Sequence, residues 1–210
     1  GLFFLPVSMA SEAIAAATLP EQQPYNHTTT RTMSKTKTKI STDNTELRKA
    51  LVNLVGEVQS DPKNADLVFS ASSKLVEGLV TDVKVRDFNF LSDEPEALGG
   101  TDVGPNPVEY VLGALAACQQ IVIKAHATVL GINVQEVTVE AEGRLDLQGF
   151  LGISESRPGF ENVTFISTIK TDETSEDKLK KLEQLAFNNC PVLDIVRNKT
   201  AVEGKVKFIG

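Results

Sequence analysis

An α+β fold is what this sequence predicts, and three observations lead there. Segments of alternating residues, suited to half-buried strands, lie on both sides of one long apolar stretch. That stretch carries helix start and stop residues at its ends, Asn106-Pro107 and Gly131. The resulting order is β-hairpin, long helix, β-hairpin, helices, strand.

The composition narrows the function classes. A chain of 210 residues can bury one sizeable core. Its net charge of -7, with Lys and Arg dispersed, offers no basic face for nucleic acid or an anionic membrane. Two cysteines are too few for a disulfide scaffold. The histidines, His27 and His126, lie far apart and no Cys/His cluster has zinc spacing, so neither metal nor cofactor is expected. The stretch around Cys118 is long enough to cross a bilayer. Gln119, Gln120, Lys124 and His126 interrupt it, which favours a buried helix over a membrane span.

Residues 1–41 read as a disordered or targeting-like tail, and residues 42–210 as one folded domain. His27 to Ser41 is rich in Thr, Ser and Lys and poor in acids, as organelle transit peptides are; an extension foreign to the fold is the alternative. A cytoplasmic location is expected, or a mitochondrial or other organellar one if the tail is a transit peptide.

Thr42 to Gln59 has Leu47, Leu51, Leu54, Val55 and Val58 at helical spacing, with Thr42 or Asp43 as cap and Asp61-Pro62 as stop. Leu67 to Leu75 and Leu79 to Phe90 read as two strands around a turn at Glu77-Gly78. The second strand carries Arg86, with its planar bidentate head.

A turn-rich loop from Asp93 to Pro107 precedes the long helix. Asn106 is a suitable N-cap and Pro107 a suitable first helical residue; Gly131 is a suitable stop. The helix spans roughly 35 Å. Apolar or small residues nearly surround it, so burial on most sides is expected. Val134 to Leu147 alternates cleanly, and Asn162 to Lys170 is a further strand. Thr174 to Asn189 forms a helix with Thr174 and Asp177 as a capping box. Cys190-Pro191 opens a short helix from Val192 to Asn198, and Ala201 to Ile209 closes the chain as a strand.

Three residues carry candidate chemistry. Cys118 is either a small apolar residue of a buried helix or a reactive thiol that needs a cation nearby. Cys190, ahead of Pro191, sits at a helix N-cap that favours thiolate; local physics makes it the more acidic thiol. Glu109 suits the first helical turn by its charge alone. Cys118 follows Glu109 by nine residues, about 180° round a straight helix and roughly 13 Å along it. If the two cooperate, the site uses two chains or a bent helix. Lys124 and His126 are ordinary helix polar residues that also lie beyond Cys118.

The ordered set Asp93-Glu94-Pro95, Gly99-Gly100, Gly104 to Glu109, Ala116-Ala117-Cys118, Gly143 to Asp146, Arg157 to Phe160 and Asn189 to Val192 resembles the OsmC/Ohr family of osmotically inducible and organic-hydroperoxide-resistance proteins. The resemblance runs from about Leu67 to Ile209. It implies an intertwined homodimer in which two β-sheets wrap two long central helices. It implies a thiol-dependent peroxidase acting on organic hydroperoxides, with hydrogen peroxide as a further substrate. Cys118 would be the peroxidatic cysteine, forming a sulfenate, and Cys190 the resolving one, forming a Cys118–Cys190 disulfide that an external dithiol reduces. This reverses the local ranking of the thiols. Glu109 matches the family's catalytic Glu. The catalytic Arg belongs to the first hairpin, which here reads Lys74 to Gly78 without Arg; Arg86 is the substitute. Without an Arg at Cys118, the alternative is a weakly catalytic or non-catalytic dimer that binds a hydrophobic small molecule at the subunit interface.

Overall fold

The computed structural model describes residues 44–210. The tail, and the expected caps Thr42 and Asp43, lie outside the described residues. By contacts, residues 143–163 form one compact unit, and residues 44–142 with 164–210 form another.

The first helix, α1, runs Asn44–Ser60 and buries none of its residues fully. Leu47, Leu51 and Val58 are half-buried, but Leu54 and Val55 of the expected stripe stay exposed. Asp61 ends α1 and caps a single 3-10 turn, Pro62–Ala65, by accepting the Lys63 N–H at 3.0 Å.

Three strands follow, not two: β1 Ser72–Glu77, β2 Val80–Val85 and β3 Phe88–Ser92, in an antiparallel sheet of that order. Residues 67–71 are not strand. The expected second strand breaks because Arg86 and Asp87 make a two-residue turn between the paired Val85 and Phe88. Arg86 takes a positive φ of 54°, a place usually filled by Gly in such turns. The sequence carries no glycine there to reveal it. The Arg86 guanidinium stacks over the Phe88 ring at 5.2 Å, and Asn89 bonds Asp82 across the strands at 3.2 Å.

The long helix, α2, runs Pro107–Leu130 with its expected ends. Gly131 terminates it at φ 70°, its N–H returning to the last turn. The expected burial on most sides is not met within one chain. Only a single face, from Leu115 to Thr128, is fully buried, while Val111, Ile121 and Val129 are exposed. By length and composition α2 could also cross a membrane.

Strands β4, Val134–Arg144, and β5, Asn162–Thr171, form a two-stranded sheet. Between them lies α3, Leu147–Leu151, a five-residue helix too short to leave a periodic signature. It is capped by Asp146. Gly143 lets the Phe160 ring approach closely: a Cβ there would meet it at 2.6 Å, so the ring would have to shift.

Helix α4 runs Glu176–Asn188 and α5 runs Pro191–Arg197. The cap of α4 is Ser175, not the expected Thr174. The Glu173 carboxylate takes the Thr174 and Ser175 N–H groups at 3.1 and 3.0 Å, leaving Ser175 to accept from Lys178. The core joins Ile123 and Ala127 of α2 to Ile132, Val134, and Leu182 and Ala186 of α4. The closing strand is absent: residues 198–210 form neither helix nor strand, and Val202, Val206, Phe208 and Ile209 are each more than 80% exposed. The segment pairs with neither sheet, so its apolar residues stay exposed.

Candidate functional site

The site grows from the way α2 begins. Asp93, at the end of β3, is almost fully buried. Its Oδ2 accepts the Thr101 N–H at 2.8 Å, the Thr101 hydroxyl at 2.7 Å and the Val103 N–H at 3.4 Å. Burial pushes this carboxyl up, but those donors and the Glu94 amide outweigh it and hold the carboxyl below its ordinary value. The loop pinned there delivers Asn106 to the head of α2. The Asn106 side chain accepts the Glu109 N–H at 2.9 Å, and Glu109 Oε2 accepts the Asn106 N–H at 2.8 Å. This reciprocal capping box fixes where α2 starts.

Three turns along, α2 presents Cys118, half-buried, toward the junction of α4 and α5. The Val192 N–H, in the first turn of α5, and the Cys190 thiol are the polar groups that act on the Cys118 sulfur. Cys190 is itself the N-cap of α5, with Sγ accepting the Leu193 N–H at 3.4 Å, and is 2% exposed. Two sulfurs far apart in sequence thus share the free amides of one helical turn. Both are free thiols. Burial pushes the Cys118 thiol up, the Val192 N–H pulls it down, and the neighbouring Cys190 pushes it up further; the balance is upward.

The remaining candidates fall elsewhere. Glu109 spends a carboxylate oxygen on its own helix cap and is exposed. Arg86 lies in a turn instead of on a strand, exposed and stacked on Phe88. Among the described residues, no Lys or Arg pairs with Cys118. Lys124 Nζ donates to the Val134 carbonyl at 3.4 Å. His126 is half-buried beside Asn189, and burial holds its imidazole below the ordinary value. Among the described residues no cluster of His, Cys, Asp and Glu could hold a metal ion.

The structure thus brings together Cys118 and Cys190 and leaves Glu109 and Arg86 apart from them within one chain. Sequence reasoning missed the Val192 amide and the two polar clasps beside the thiols. Gln119 donates to the Ala186 carbonyl at 3.3 Å, and Asn189 meets His126 at 3.3 Å. The placement of Asn189 directly before Cys190 was the available signal.

The arrangement can place one accessible thiol against one buried thiol, which suits oxidation of the first and disulfide closure by the second. Comparison with known proteins bears on the fold and the family. The family described as OsmC-like protein matches residues 99–205, just over half of the chain, including Glu109 and both cysteines but not Arg86. An OsmC-like protein from Mycoplasma pneumoniae is similar in structure, with TM-score 0.54 and 17% identity over 63% of this chain and 89% of its own. One from Vibrio cholerae has TM-score 0.50 and 17% identity over 61% of this chain and 93% of its own. An organic hydroperoxide resistance protein from Legionella pneumophila has TM-score 0.47 and 20% identity over 63% of this chain and 92% of its own. No curated protein matches the chain.

Proposed function

The chain belongs to the OsmC-like protein family, and from that premise we propose that it is a slow thiol-dependent peroxidase for organic hydroperoxides. One observation carries the reading: Cys118 and Cys190 lie against each other at the first turn of α5. Exposure supports a division of roles. A peroxide must reach the sulfur it oxidises, and Cys118 is the half-buried one while Cys190 is sealed.

In the first step the Cys118 thiolate attacks one peroxide oxygen. The O–O bond breaks, the leaving alkoxide takes a proton to become an alcohol, and Cys118 becomes a sulfenic acid. The Val192 N–H is the donor available to the thiolate. In the second step Cys190 loses its proton and attacks the Cys118 sulfur. Hydroxide leaves and is protonated to water, and a disulfide forms. An external dithiol then returns two electrons and restores both thiols.

The raised Cys118 thiol, with no cation beside it among the described residues, makes the first step slow at neutral pH. Glu109 acts as the cap of α2, and Arg86 as the support of its own hairpin. The exposed apolar face of α2, with Val68, Phe69, Val202 and Phe208, favours a homodimer that covers them.

Peroxide consumption with a dithiol tests the reading. Cys118→Ser abolishes it, while consumption equal to wild type in that variant contradicts the reading. The raised Cys118 thiol also favours a second reading, a non-catalytic dimer that binds an apolar small molecule at its interface. Thiols inert to peroxide and a copurifying ligand would select it.

A further inference from the structure

We propose that His126 is a positioning residue for the Cys190 thiol, acting through its hydrogen bond to Asn189. The inference rests on the peroxidase reading and concerns its second step. The C-cap of α4 and the N-cap of α5 are consecutive residues, Asn189 and Cys190. Whatever fixes Asn189 therefore fixes the backbone that carries the resolving thiol.

Asn189 is held twice. Its N–H donates to the Leu185 carbonyl at 3.0 Å, as part of the α4 ending. Its side-chain amide meets His126 Nε2 at 3.3 Å, two helical turns beyond Cys118 on α2. An amide nitrogen only donates, so the imidazole nitrogen facing it must be the unprotonated acceptor. Burial favours that neutral ring. Helix α2 thus clasps the junction at separate points. Cys118 meets Val192, Gln119 takes the Ala186 carbonyl, and His126 takes Asn189. Gln119 secures the last turn of α4. His126 secures the residue adjoining Cys190, so the bond sets how Cys190 is aimed at Cys118.

The test measures disulfide closure by rapid quench and thiol mass labelling in the intact protein. One arm uses one equivalent of cumene hydroperoxide, with dimedone trapping to count sulfenate. The other uses diamide, which adds to one thiol and is displaced by the second, closing the same disulfide without peroxide. His126→Leu removes the acceptor and should slow closure about three- to tenfold relative to oxidation of Cys118. His126→Gln restores an acceptor oxygen and should close within about twofold of wild type. Equal closure in all three proteins overturns the proposal, as does equal slowing in both variants. If His126→Leu fails to fold, Asn189→Ala removes the donor and is read in the same way. A wild type that ignores peroxide but closes with diamide defeats the peroxidase reading alone, and the diamide arm then decides the role of His126. A wild type that closes with neither defeats both.

Discussion

Cys118 and Cys190 share one helical turn: the Val192 N–H serves the first sulfur, and the Leu193 N–H serves the second at 3.4 Å. That pairing sets the half-buried thiol beside a second thiol of its own chain. It also separates the two thiols by accessibility, since Cys190 is 2% exposed. The sequence-level argument that an N-cap favours thiolate pointed at Cys190, but the amides it invoked are divided between both sulfurs.

Glu109 is a helix cap before anything else. Glu109→Ala leaves the Asn106 N–H without its 2.8 Å partner and should destabilise the protein by about 1 kcal/mol, read as a lower urea midpoint. Peroxide turnover of the folded fraction should be nearly unchanged. A turnover loss of a hundredfold or so, far beyond the stability effect, would return Glu109 to the catalytic role implied by family resemblance.

The uncovered face of α2 should be a subunit contact. Ile121 is 68% exposed in the middle of that helix. Placing a carboxylate there with Ile121→Asp should convert a dimer into a monomer in sedimentation equilibrium, because an unpaired charge is costly to bury. An unchanged dimer would mean that Ile121 lies outside the contact.

The pH dependence follows from the raised Cys118 thiol. Burial holds its proton more tightly in the folded chain than the ordinary value of 9.0. The stability this contributes is fully present below pH 9.0 and is lost as pH rises through the folded value. The peroxide step needs thiolate, so its rate should keep climbing as pH passes 9.0, when followed by single-turnover kinetics. A rate already level at neutral pH would show that a cation reaches Cys118 in the assembled protein.

Much of the fold was legible because its boundaries are made by local chemistry. Asn106, Pro107 and Gly131 act within a few residues of themselves, so the ends of α2 could be read directly. The Arg86 turn could not be read, because a non-glycine residue takes its positive φ, with its guanidinium over the Phe88 ring. The cap of α4 shifted to Ser175 because Glu173 captures the preceding amides. Val202 to Ile209 has strand chemistry, but residue pattern alone does not say whether a segment docks on an open sheet edge, and here it does not. At the site, family resemblance named both cysteines. The Val192 amide that acts on Cys118 belongs to the backbone and leaves no mark in side-chain identity.

The most direct measurement is the intact mass of the protein, before and after one equivalent of cumene hydroperoxide, followed by thiol labelling and peptide mapping. The account predicts loss of two hydrogen atoms per chain and a peptide that joins Cys118 to Cys190. It also predicts that Cys190→Ser stops at a dimedone-reactive sulfenate on Cys118. Unmodified thiols that still label fully after peroxide treatment, or a first oxidation on Cys190, would contradict it.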